Sequence, residues 1–157
     1  MYDVAIMQKM QKLLVVVASL VIVFVVIVLA AQTSYQTIEV NVSGLDFEML
    51  VANTSFKQSR GLSGRALEDL DVDGMIFLFD TPEKRTFWMN DMEFDLDVVW
   101  VKEGKVVKIH EGVDAPEEGE DPEMMDSSPF DVDMVLEFPA GVVDDRGIMS
   151  GYLVDLP

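Results

Sequence analysis

Cysteine is absent from this 157-residue chain. Its absence excludes a disulfide framework, a thiolate metal centre and a cysteine nucleophile. Histidine occurs once, at His110, so a Ser-His-Asp relay would have a single candidate base, and no G-x-S-x-G elbow accompanies it. Positive charge is scarce: 11 Lys and Arg stand against 29 Asp and Glu, a net charge of −18. Such a field repels nucleic acid and anionic headgroups and attracts cations and basic surfaces, so nucleic acid is not an expected partner. A generally acidic, solubilising surface, as in organisms living at high salt, accounts for the same composition. No internal repeat is visible.

Hydrophobic residues make up 50% of the chain, and the excess is concentrated in one place. Residues 13–31, LLVVVASLVIVFVVIVLAA, carry no charge. As a helix they reach roughly 28 Å, close to the hydrocarbon thickness of a bilayer. Lys9 and Lys12 precede the run, and the next positive residue is Lys57. The positive-inside rule puts residues 1–12 in the cytoplasm and everything after the span outside the cell membrane. The competing reading is a cleaved signal sequence. The run is long for an h-region, and Ala31-Gln32-Thr33 is a weak small-x-small site. Beyond residue 31 lie 28 of the 29 acidic residues and 9 of the 11 basic ones, about −19 in net charge. About 120 residues suffice for a core without covalent staples.

After a short polar linker, 32–36, the domain at 37–157 is patterned as β structure. Thr37 to Val42 alternates polar and apolar, and Leu45 to Ala52 holds Phe47, Met49 and Val51 on one face. Thr54 or Ser55 caps a helix over Phe56 to Arg65 that Gly61 and Gly64 shorten. Met75 to Phe79 reads as a buried strand and Thr86 to Met89 as another. Val98–Val101 and Lys105–Ile109 form a hairpin around Glu103-Gly104. Glu111 to Asp126, with eight acids in sixteen residues and two prolines, reads as a loop. Met134 to Phe138 is a strand that stops at Pro139. Ala140-Gly141 is a turn, and Gly147-Ile148 and Tyr152 to Val154 close the domain. The expected fold is mainly β, a compact barrel or sandwich with one short helix, behind a single N-terminal transmembrane helix.

Four constellations could carry chemistry. Asp69, Asp71, Asp73, Gly74 and Asp80 have EF-hand loop spacing, which makes calcium a candidate ligand. Against it, Phe77 fills the ninth position, Asp80 is shorter than the usual bidentate Glu, and the following residues read as a strand rather than a helix. The alternative is an exposed acidic turn. Asp91, Glu93, Asp95 and Asp97 share a face if extended, and paired carboxylates could do acid–base work or hold a cation. A solvated strand face is the simpler account. His110 follows a strand, as surface histidines do. Asn41-Val-Ser43 and Asn53-Thr-Ser55 are glycosylation sequons if the domain is exported.

Several segments in order resemble a known family. They are Arg60-Gly-Leu-Ser-Gly-Arg65, Asp73-Gly-Met-Ile-Phe-Leu-Phe79, Phe87-Trp-Met-Asn90, Leu96-Asp-Val-Val-Trp-Val101, Gly104-Lys-Val-Val107, Val135-Leu-Glu-Phe-Pro-Ala-Gly141 and Gly147-Ile-x-x-Gly151. The chain resembles domain-of-unknown-function family 192 of bacteria and archaea from about Phe47 to Val154. The resemblance implies a small β-rich domain, often behind a signal peptide or anchor, and brings no activity with it. Ser63 stands where the family usually has Met, Asn90-Asp91 where it has Lys-Asn, and Asp95 where it has Pro. The matching residues point to Arg60, Arg65, Trp88, Met89, Asp97 and Glu137, as a ligand site or as an ion pair locking helix to sheet. The expected role is a non-catalytic, membrane-tethered domain binding an envelope protein or a small ligand. A calcium-dependent module or carboxylate enzyme is the alternative, and the lack of a nucleophile motif argues against an enzyme.

Overall fold

The computed structural model describes residues 4–157. Residues 1–3, the start of the segment read as cytoplasmic, lie outside the described residues, as do the side chains of the small-x-small site at 31–33. The chain divides into two units, Met1–Ser34 and Tyr35–Pro157.

The first unit contains helix α1, Val4–Thr33. Helix therefore begins before the uncharged run and takes in Lys9 and Lys12. Within it, Ile6–Val28 is long and apolar enough to cross a membrane, with a mean hydropathy of 2.8. From Leu13 to Val28 apolar side chains lie on every side of the helix. Ser19, the one polar side chain of the uncharged run, donates its hydroxyl to the Val15 carbonyl 2.9 Å away, so its own donor is satisfied within the helix.

The second unit is mainly β. Its elements are β1 (Thr37–Val42), β2 (Leu45–Ala52), α2 (Ser55–Arg60), a 3-10 turn at Leu67–Asp69, β3 (Gly74–Glu83), β4 (Thr86–Trp88), β5 (Leu96–Lys102), β6 (Lys105–Val113), β7 (Met124–Asp126), β8 (Val132–Pro139), α3 (Val142–Arg146) and β9 (Val154–Asp155). Seven strands form one sheet in the order β6-β5-β8-β3-β2-β1-β9, and β4 and β7 form a separate ribbon. All neighbours in the sheet are antiparallel except β2 and β3, which α2 and its loop connect as a crossover. The sheet curls until its edges meet at one end. Val154 N–H donates to the Gly104 carbonyl (2.8 Å), and Val106 N–H to the Tyr152 carbonyl (2.9 Å).

Strand alternation sorts the side chains into two cores. Inside the curl lie Val40, Val42, Phe47, Met49, Ile76, Val99, Leu136 and Phe138, drawn from edge and central strands alike. On the outer face, Met75, Phe77, Val98, Trp100 and Val135 are covered by Leu62, Met89 and Met125. Each such large side chain contributes roughly 1.5–3 kcal/mol through burial. Gly74 is obligatory where β3 meets β8, because a Cβ there would sit 2.1 Å from the Glu137 carbonyl oxygen.

Three local expectations change. The segment read as a loop from Glu111 contains the end of β6 and all of β7, because Met125 pairs with Phe87 and is buried. The turn at Ala140-Gly141 leads into α3. The row from Asp91 to Asp97 is not extended: Asp91 has a positive φ of 53° and only Asp97 lies in a strand, so these acids share no face.

Candidate outer-face cleft at Glu137

The cleft begins with the end of a short helix. Thr54 caps α2, its hydroxyl accepting from Lys57 N–H at 3.3 Å. Gly61 ends it with φ 53° and ψ −135°, a conformation that a Cβ disfavours. The chain then doubles back and is pinned to the segment after β4. Ser63 Oγ donates to the Asn90 carbonyl at 2.7 Å, and Gly64 N–H donates to the Asp91 carbonyl at 2.7 Å. The β4–β7 ribbon carries Trp88 opposite Met124. Beneath it an aromatic ladder descends: Phe77 to Phe87 (centroids 4.8 Å apart, edge to face), Phe87 to Trp100 (5.3 Å) and Trp100 to His110 (5.8 Å).

Between the Arg60–Ser63 turn and the ribbon lies a cleft of about 160 Å³, lined by Arg60, Gly61, Phe77, Phe87, Trp88 and Glu137 among others. Trp88 is 54% exposed, while Glu137 is only 6% exposed. Glu137 sits on β8 opposite Met75 of β3 and Val98 of β5, so strand alternation aims it at the outer face. Its Oε2 is buried and has no hydrogen-bond partner. A Cβ on Gly61 would lie 3.7 Å from that oxygen, so only glycine's bare backbone separates the turn from it. Burial with no compensating donor pushes the carboxyl up to about 8. At neutral pH it is mostly protonated, a neutral group ready to donate or, on losing its proton, to accept strongly.

Of the residues singled out in the sequence, the structure brings Arg60, Trp88 and Glu137 together at this cleft. Met89 is fully buried in the outer core. Arg65 lies over the Tyr35 ring, 5.1 Å from its centroid. Asp97 is buried on the inner face, where Oδ1 accepts from Gly112 N–H (2.8 Å) and Oδ2 from Val143 N–H (2.9 Å). Both its oxygens are thus engaged in holding β6 and α3. Among the described residues no ion pair joins Arg60 or Arg65 to a carboxylate, so the expected arginine lock between helix and sheet is absent.

The EF-hand spacing does not fold as a loop around an ion. Asp69 is in the 3-10 turn, Asp73 Oδ2 accepts from Glu48 N–H (2.7 Å), Asp71 and Asp80 are exposed, and β3 follows where a helix would be needed. Among the described residues no three acids or histidines gather as metal ligands. His110 Nδ1 accepts from the Trp100 indole N–H at 2.8 Å. Its pKa is lowered, first by burial and then by Lys108, with Asp126 and Glu123 opposing. Phe77, Phe87 and Gly61 were not anticipated as cleft residues. Their sequence signals, buried strand aromatics and a helix stop, are those of ordinary structure.

The fold and cleft define a class: a small curled β-sheet domain with a carboxyl-floored cleft on its outer face. The chain belongs to domain-of-unknown-function family 192, the uncharacterised ACR family, whose model matches residues 37–156. A protein of Sinorhizobium meliloti 1021, provisionally described as a transcription regulator, has a similar structure. Its TM-score is 0.66 at 27% identity, over 79% of this chain and 96% of that one. A protein of unknown function from Novosphingobium aromaticivorans is similar at a TM-score of 0.62 and 28% identity, over 78% of this chain and 87% of that one. No protein curated for function matches the chain.

Proposed function

We propose that this chain is a membrane-tethered domain that binds a small ligand, or a side chain of an envelope protein, in the Glu137 cleft on the outer side of the membrane. The observation that carries the reading is the unpartnered Oε2 of Glu137. Leaving a buried polar atom unsatisfied costs about 1–3 kcal/mol, and Glu137 lines a cleft through which a ligand's donor would reach its carboxyl. The tether rests on α1, whose apolar stretch is long enough to span a bilayer, and the orientation on Lys9 and Lys12 at its start. The negative field of the domain disfavours nucleic acid. A binding role fits better than catalysis: the cleft holds one carboxyl and no nucleophile–base pair, and Trp100 occupies Nδ1 of His110.

Two measurements test it. Protease added to intact cells should cleave the domain while a cytoplasmic control survives; a protected domain removes the placement. A thermal-melting screen of small molecules against the full chain in detergent should return compounds that stabilise the wild type and not Glu137→Gln. If no compound separates the two proteins, the cleft is not a binding site.

A further inference from the structure

We propose that the group bound in this cleft is a primary alkylammonium ion, its N–H donors meeting Glu137 and its alkyl chain lying against Phe77, Phe87 and Trp88. The inference rests on the binding reading above and names the ligand's chemistry.

Cleft and ammonium ion are complementary in charge, hydrogen bonding and shape of surface. The floor offers an acceptor with no donor, and an ammonium group offers three N–H donors and a full positive charge. A charge-assisted hydrogen bond is roughly twice as strong as a neutral one, which favours this donor over a hydroxyl. Phe77, Phe87 and Trp88 line the cleft beside polar residues, and aromatic faces attract cations, Trp most strongly. Beyond the cleft, 28 acidic against 9 basic residues after position 31 raise the local concentration of cations. Trp88 and Met124, neighbours across the ribbon and both more than half exposed, extend the apolar wall outward for an alkyl chain. The same chemistry could come from a free amine or from a lysine side chain of another protein.

The pH dependence is set by Glu137 alone among the groups facing it. Phe77 of β3, Val98 of β5 and Thr86, Phe87 and Trp88 of β4 do not titrate in this range. Arg60, from the end of α2, is the one other charged residue lining the cleft, and it is exposed and stays cationic. An ammonium ion must displace the Glu137 proton, so affinity should rise about tenfold per pH unit below pH 8 and level off above it.

The test is calorimetric titration of the full chain in detergent micelles at pH 6, 7 and 8.5 and constant ionic strength. The probes are n-butylammonium chloride, 1-butanol, sodium butyrate, glucose and N-acetyl-lysine methylamide. Butylammonium should bind at least tenfold more tightly than 1-butanol, gain about tenfold from pH 6 to 7, and lose saturable binding in Glu137→Gln. Trp88→Ala, at an exposed position, should weaken it severalfold without lowering the melting temperature. Arg60→Ala should tighten it, since a like charge lining the cleft is removed. Preference for the blocked lysine points to a protein side chain, and preference for butylammonium to free amines; either upholds the class. If 1-butanol, butyrate or glucose binds as well as butylammonium, or if Arg60→Ala abolishes binding, the ammonium assignment is overturned while the cleft reading stands. If no probe saturates, the cleft reading falls with it.

Discussion

Asp97 on β5 accepts a hydrogen bond from the backbone N–H of Val143, 46 residues later, and so caps α3 from across the inner core. Its other oxygen takes the Gly112 N–H of β6. A carboxylate that reads in the sequence as a candidate for acid–base work is therefore spent on backbone donors. Asp97→Ala should cost about 3 kcal/mol, because two N–H groups lose their acceptor, one of them in a fully buried bond. Asp97→Asn, which keeps one acceptor, should cost about half that. Chemical denaturation checks both, and an Asp97→Ala domain as stable as wild type would refute the capping role.

Glu137 makes the domain less stable as pH rises. Its folded pKa, about 8, lies above the ordinary 4.5, so the native state holds a proton that the unfolded chain releases. Below pH 4.5 both states are protonated and the term vanishes. From there to pH 7 it costs about 3 kcal/mol, at about 1.4 kcal/mol per unit. Other carboxylates contribute to the absolute curve, so the difference from Glu137→Gln is the diagnostic. The variant should be no better than wild type at pH 4 and clearly more stable at pH 8. Parallel melting curves across that range would contradict the burial.

His110 should titrate below 6.5 by NMR, because burial and then Lys108 disfavour its charged form. The folded state prefers neutral imidazole, so this residue supports stability above pH 6.5, and that support is lost as pH falls through the folded midpoint. Trp100→Phe removes the donor that holds Nδ1 as an acceptor and should move the midpoint upward. An unchanged midpoint would mean the indole bond does not bias the proton.

Gly74→Ala and Gly61→Ala should separate fold from site. At Gly74 the new methyl meets the Glu137 backbone carbonyl at 2.1 Å, so β3 and β8 would have to part and the domain should not fold. At Gly61 the methyl meets Phe77 and Glu137 Oε2 at ordinary contact distance, while φ 53° adds strain of about 1–2 kcal/mol. Gly61→Ala should remain folded and lose affinity in the cleft.

Much of this architecture was legible in single segments. The hairpin around Glu103-Gly104 pairs Val101 with Val106 as the alternation implied, Thr54 caps α2, and Met75 to Phe79 is buried strand apart from its last two residues. The N-terminal apolar helix was evident from length and composition. What escaped depends on partners distant in sequence. The Met124–Asp126 strand has no pattern of its own and exists because Phe87 pairs with Met125. The parallel pairing of β2 with β3 is a matter of topology, which local periodicity does not encode. For the site, the family resemblance put Arg60, Trp88 and Glu137 among six candidates, but face and depth separate them from Asp97. Both are strand carboxylates, one inside the curl with two donors and one outside with none.

The stitch between Val154 and Gly104 has a consequence for how the molecule keeps company with its own kind. A strand edge with unmet backbone groups is an invitation to its copies, and here the Gly104 carbonyl accepts from Val154 N–H while Val106 N–H of β6 donates to the Tyr152 carbonyl. With those groups already paired inside the domain, that stretch of the β6 edge presents a second copy with no free ladder to extend.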